Sequence, residues 1–120
     1  MNKAVYDEVC VLWAEHMGLP FPDDLRGVDI YDLPVVYLDS CIAGPITSYV
    51  GSQRGVLNDR QLRIVKECAR DLRALLPRLR RREGRTYVAR LVRIGELIIR
   101  DAPAWQQSPQ GFSATSVKGL

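Results

Sequence analysis

Residues 32–50, DLPVVYLDSCIAGPITSYV, decide which fold the chain adopts. The succession Asp39, Ser40, Cys41 before Gly-Pro is compatible with a nucleophile presented on a loop, but the surrounding apolar residues favour a helix. They recur at helical and not at alternating spacing, at Val35, Leu38, Ile42 and Tyr49. Because Pro45 cannot donate a backbone hydrogen bond to the carbonyl of Cys41, we expect a packed helix that bends or breaks at Gly44–Pro45.

The start and the burial of this helix follow from the same pattern. Asp32 is a suitable N-cap and proline is tolerated in a first turn, so the helix is expected to begin near Asp32–Pro34. A soluble chain of this size cannot leave the whole apolar face exposed to water. We therefore expect Cys41 and Ile42 to be buried and Ser40 to be at most partly exposed.

Asp39 follows Leu38 in the sequence and should reach the edge of the buried face. A half-buried carboxylate without a partner is energetically costly. We therefore expect an arginine of the last helix, either Arg90 or Arg93, to pair with it.

Helical periodicity recurs in three other segments, AVYDEVCVLWAEHMG (residues 4–18), NDRQLRIVKECARDLRALL (58–76) and TYVARLVRIGELIIRDA (86–102). Gly18 is a suitable end for the first of these helices. Asn58 and Gln61 are spaced as a capping box at the start of the second. Pro77 and Pro103 are expected to end the second and the third.

The sequence therefore predicts an all-α fold, a single small bundle of about four helices over residues 1–102. The segment between the first two helices is rich in proline and aspartate and is expected to be a loop whose apolar residues fold back onto the core. Residues 103–120 are polar and small, and we expect a tail that is either flexible or packed on the surface.

Length and composition are those of one globular domain. A chain of 120 residues, 47% hydrophobic and 26% charged, suffices for one core and is too short for two ordinary domains. No apolar run approaches the roughly 20 residues of a membrane span, and the N-terminus lacks an apolar signal core. We expect a cytoplasmic protein without membrane association, with three reduced cysteines, Cys10, Cys41 and Cys68.

For catalysis the sequence offers little, and we expect the protein not to be an enzyme. A Cys41–His16 pair oriented by Asp39 is conceivable, but no nucleophile-elbow glycine pattern surrounds either residue. His16, the single histidine, is better explained as a last-turn residue that the helix dipole favours. One histidine with scattered loop aspartates is a weak metal-ligand set, and the sequence contains no phosphate-binding glycine motif, so no metal or cofactor is expected.

Charge is divided unevenly along the chain. Residues 1–50 carry eight acids and two bases, whereas residues 51–120 carry fifteen bases and six acids. Fourteen of the seventeen bases are arginines, which bind carboxylate and phosphate bidentately. The densest cluster, RLRRREGR, supplies the candidate partner-binding residues Arg78, Arg80, Arg81, Arg82 and Arg85. The alternative is a solvated corner whose arginines pair with acids of the first half.

Taken together, the helical segments resemble small all-helical proteins of actinobacteria, in which an LLDADIAGC-like helix precedes helices with RDL and YFxRL motifs. The similarity covers residues 28–100 and rests on LDSCIAG, RDL and YVARL. Pro45 departs from it, since that position tends to be Cys in the family pattern. The function of the family is not established. The resemblance therefore implies a helical fold, with Gly44 permitting close approach of a neighbouring helix, and no activity.

These observations favour a non-enzymatic protein–protein interaction module, of the kind formed by immunity or antitoxin-like proteins, whose charged faces steer an acidic partner protein. The alternative is a nucleic-acid-associated protein that uses the arginine-rich second half. No aromatic residues interleave with the arginine run, so stacking on single-stranded bases is not supported. Whether the chain forms homo-oligomers is left open by the sequence.

Overall fold

Four long helices dominate the computed structural model, which describes residues 2–30, 33–51 and 54–107. They are α1 (Lys3–Met17), α2 (Val35–Val50), α3 (Asp59–Leu75) and α4 (Arg82–Asp101), and a short helix, α5 (Ala104–Gln107), follows. Two 3-10 turns, Asp23–Leu25 and Leu76–Arg78, and a two-residue antiparallel strand pair, β1 (Asp29–Ile30) and β2 (Leu33–Pro34), complete the described elements. The predicted all-α bundle is confirmed.

Helix α1 begins and ends as its sequence predicts. The Asn2 side chain caps the first turn by accepting hydrogen bonds from the backbone N–H groups of Ala4 and Val5. Gly18 is the C-cap: its N–H donates to the carbonyl of Glu15, and the N–H of Leu19 donates to the carbonyl of His16. Val9 and His16 are the buried residues of this helix, with partly buried neighbours on the same stripe, so α1 covers one side of the bundle.

Helix α2 is continuous through Pro45, so the expected break does not occur and the bend at Gly44–Pro45 stays a prediction. The helix begins at Val35, directly after Pro34, which occupies the N-cap position. The predicted Asp32 cap lies outside the described residues. Ile42 is fully buried, as expected, whereas Cys41 is only partly buried, so the prediction of a buried Cys41 is wrong.

The prediction for Ser40 is wrong, because its side chain is exposed. At 3.6 residues per turn, two helical steps rotate Ser40 by about 200° from the buried Leu38 and place it on the opposite face. Gly44 lies on the same outward face, and a Cβ built there would meet no atom within 4 Å. The expected close helix approach at Gly44 is therefore also wrong. It occurs instead at Gly95 of α4, where a Cβ would lie 3.2 Å from the Cβ of Ala69.

Helices α3 and α4 form the centre of the core. The capping box is confirmed: the Asn58 side chain accepts from the N–H of Gln61, and the Gln61 side chain accepts from the N–H of Asn58. Helix α3 gives way to a 3-10 turn at Leu76, directly before Pro77. The core residues of the two helices are apolar and buried: Leu62, Val65, Cys68, Leu72, Leu75, Tyr87, Val88, Leu91, Val92, Ile94, Leu97 and Ile98.

Helix α4 starts at Arg82, four residues before the segment that periodicity marks as helical. Its first turn has a buried glycine, Gly84, and no apolar side chain, which explains why the pattern missed this turn. The loop after α1 folds onto the core as expected, since Leu25 is fully buried. Each helix in the described part of the chain is too short or too polar to span a membrane.

Candidate functional site

The five arginines singled out from the sequence lie together at one corner of the bundle. Arg78 ends the 3-10 turn, Arg80 and Arg81 lie in the connection, and Arg82 and Arg85 belong to the first turn of α4. All five side chains are exposed. We call this set the arginine corner.

Carboxylates of the described residues form no ion pair with the arginine corner. Ion pairs within residues 2–30, 33–51 and 54–107 lie elsewhere, as between Arg93 and Glu8 (3.0 Å) or Arg73 and Glu96, and none involves a corner arginine. Acids of the first half that the structure describes thus leave these charges without an ion-pair partner. The corner has a concentrated positive charge that an external anion can approach.

A surface depression of about 280 Å³ lies beside the corner, lined by Arg78, Arg80, Arg81 and, from the loop after α1, Asp24. The carboxylate of Asp24 lies against the first turn of α4, where a Cβ on Gly84 would collide with it. Because Arg81 provides no side-chain cap for α4, a carboxylate at this helix N-terminus is electrostatically favourable. Gly84 therefore lets the loop and the helix meet at the corner.

A second depression is mainly apolar. It has a volume of about 320 Å³ and is lined by Leu19, Pro20, Pro22, Arg82, Glu83, Thr86 and Tyr87. We call it the apolar cleft. Its loop residues precede Asp24, and Arg82 follows Arg81, so the two depressions are built from adjoining stretches of the same loop and helix.

Tyr87 is the buried wall of the cleft and is fixed from several sides. Its hydroxyl donates a hydrogen bond to Oδ1 of Asp39 at 3.1 Å. The ring of Phe21 meets it edge-on at a centroid distance of 5.4 Å, and the ring of His16 lies 4.2 Å away. Burial and the nearby Asp39 carboxylate raise the pKa of Tyr87, so this hydroxyl stays a donor.

The expected pairing of Asp39 with Arg90 or Arg93 is therefore wrong. Asp39 is partly buried, as predicted, but its hydrogen-bond donor is the neutral hydroxyl of Tyr87, and Arg93 pairs with Glu8 instead. Burial raises the pKa of the Asp39 carboxyl, and the bond from Tyr87 opposes that shift in part. The need for a partner was correctly predicted, but which side chain meets that need is decided by tertiary packing.

His16 lies in the last turn of α1, as expected, but the dipole explanation is wrong because the ring is buried and neutral. It is 3% exposed and stacks on Trp13 at 5.6 Å, and neither ring nitrogen has a hydrogen-bond partner among the described residues. Burial, followed by the positive charge of Arg90, lowers its pKa to about 4. His16 therefore makes no hydrogen bond to Cys41, whose thiol interacts with Tyr37.

The three cysteines are free thiols in the structure. Burial raises the pKa of Cys68 to about 11, which disfavours its thiolate. Within the part of the chain that the structure describes, no group of three or more His, Cys, Asp or Glu side chains is arranged to hold a metal ion.

Comparison of the chain with protein-family models, with curated proteins and with solved structures gives no match. The resemblance to the actinobacterial helical proteins stays a prediction. The arginine corner was predicted as a sequence cluster, whereas the apolar cleft was not, because its two sides are at least 60 residues apart. The proline-spaced apolar residues of the loop, Leu19-Pro-Phe-Pro, were the available signal for it.

Proposed function

We propose that the protein is a cytoplasmic, non-enzymatic protein–protein interaction module that binds an acidic segment of a partner protein at the arginine corner. The observation that carries this proposal is the exposure of five clustered arginines that make no ion pair with the described residues. Arginine is suited to the task because its planar guanidinium binds carboxylates bidentately. Immunity and antitoxin-like proteins, which neutralise a partner by binding it, are the biological class that fits best.

A protein partner is favoured over nucleic acid by the surroundings of the corner. The neighbouring apolar cleft offers surface to side chains and not to phosphates. Nucleic acid is therefore the competing outcome of the test.

The test uses a fluorescein-labelled hexaglutamate peptide, labelled single-stranded DNA and RNA, and a labelled duplex of each, titrated with the full chain at low and at physiological salt. We expect peptide binding that weakens with salt and is lost in the triple variant Arg80→Ala, Arg81→Ala, Arg82→Ala. A matched variant with the same loss of charge, Arg60→Ala, Arg63→Ala, Arg70→Ala on the exposed side of α3, should retain it.

Two results would overturn the proposal. One is peptide binding that is equal in the two triple variants, which would show that net charge and not the corner is responsible. The other is tight, corner-dependent binding of a nucleic acid with none of the peptide. Thermal unfolding of all variants, followed by circular dichroism, verifies that each is folded.

A further inference from the structure

We infer that the acidic segment carries a large apolar side chain a few residues from its acids, and that the apolar cleft receives this side chain. This inference rests on the proposed function of the arginine corner and specifies the chemistry of its partner. It predicts a bipartite motif, an apolar anchor joined to a run of Asp or Glu.

The first argument is adjacency. Arg81 borders the charged depression and Arg82, the next residue, borders the cleft, so the start of α4 contributes to both. Consecutive Cα atoms are about 3.8 Å apart, and an extended chain advances about 3.3 Å per residue. An extended segment of a few residues can therefore contact both depressions at once.

The second argument is the chemistry of the cleft. Leu19 is 47% exposed although it is apolar, and it faces the cleft together with two prolines and the ring of Tyr87. A volume of about 320 Å³ lies at the lower end of the roughly 300–1,000 Å³ typical of ligand pockets, which suits one large side chain better than a cofactor. Glu83 on the rim disfavours a carboxylate inside the cleft, so the acids of the segment extend toward the arginines.

The third argument is rigidity. The inner wall is already ordered, because Tyr87 is held by its hydrogen bond to Asp39 and by the edge-on contact with Phe21. Prolines at positions 20 and 22 restrict the loop wall further. An apolar side chain that binds against an already ordered wall costs less conformational entropy than one whose binding must first order the wall.

The experiment compares three labelled peptides of equal charge, GSGGEEEE, GSLGEEEE and GSWGEEEE, in titrations of the full chain. We expect the Leu and Trp peptides to bind at least about tenfold more tightly than the Gly peptide, because burial of a large apolar side chain stabilises a complex. Leu19→Ser and Thr86→Phe, which remove a wall or fill the cleft, should abolish that difference and leave binding of GSGGEEEE unchanged. Val11→Ser, at another exposed apolar residue (58%), should preserve it.

Each outcome separates the inference from the proposed function. Equal binding of the three peptides, all lost in the Arg80, Arg81, Arg82 triple variant, would refute the cleft inference and leave the proposed function standing. Failure of all three peptides to bind would refute both. An anchor effect that survives in Leu19→Ser and Thr86→Phe would place the anchor elsewhere and refute the inference. Sedimentation of the chain alone tests whether a second copy of the chain fills the apolar cleft. Self-association that is lost in Leu19→Ser and kept in Val11→Ser would also overturn the inference.

Discussion

Replacing His16 by Phe should make the stability of the fold less sensitive to mild acid. In the folded chain the ring is buried beside Arg90 and its pKa is lowered to about 4, against an ordinary value of 6.5. At a pH between these two pKa values, the His16 ring is protonated in the unfolded chain and neutral in the folded chain. The contribution of the neutral ring is therefore complete above pH 6.5 and is lost as the pH falls toward 4.

The size of the effect follows from the difference between the two pKa values. At about 1.4 kcal/mol for each tenfold change in proton affinity, the free energy of unfolding should fall by about 3 kcal/mol across this range because of His16. Asp39 acts in the opposite sense, since burial raises its pKa and the folded state then binds a proton more readily than the unfolded state. Because the wild type and His16→Phe both contain Asp39, its contribution cancels in the difference between their free energies of unfolding.

Urea unfolding followed by circular dichroism, for the wild type and His16→Phe at several pH values from neutral to about 4, gives the required difference. At neutral pH the variant should be as stable as the wild type or more so, because two buried nitrogens without partners are removed. Parallel curves for the two proteins over the whole range would refute the reasoning. So would an NMR titration that places the pKa of this single histidine near its ordinary value.

Three further predictions concern stability and are read from the free energy of unfolding in urea. Gly95→Leu should lower it by about 3 kcal/mol or more, because even a Cβ there lies 3.2 Å from that of Ala69, and a loss below about 1 kcal/mol would contradict this packing. Asn58→Ala should cost about 1 kcal/mol through loss of the capping box, and an unchanged midpoint would argue against the cap. Tyr49→Phe removes a hydrogen bond of 3.1 Å to Asp101 and should cost about 1 kcal/mol, and an unchanged free energy of unfolding would contradict a contribution from this bond.

Local signals in the sequence predicted the helices well. Asn58 and Gln61 mark the start of α3 because a capping box is complete within four residues, and Pro77 marks its end for the same kind of local reason. The first turn of α4 was missed because it contains arginines, a glutamate and a glycine, whose helical state is decided by the loop packed against Gly84. Periodicity identifies a buried face, and this turn has no apolar side chain to show one.

Contacts between side chains were predicted wrongly where the two residues lie on distant segments of the chain. The carboxylate of Asp39 needed a partner, but the choice of Tyr87 over Arg90 or Arg93 depends on how α4 is rotated against α2. The burial of His16 beside Tyr87 has the same origin. The arginine corner was predictable as a cluster because its members are close in sequence, while the apolar cleft exists only after residues 19–22 meet residues 82–87.

Asp101, the last residue of α4, links this helix to the start of α1 and to α2 at the end of the bundle opposite the arginine corner. Its two carboxylate oxygens accept hydrogen bonds from the backbone N–H of Asn2 (2.8 Å) and from the hydroxyl of Tyr49. Helix α4 has twenty residues, so its start lies about 30 Å from Asp101. A label, tether or fused domain attached before Asn2 would therefore emerge far from the corner. Immobilisation through that end should leave the opposite pole of the molecule open for docking.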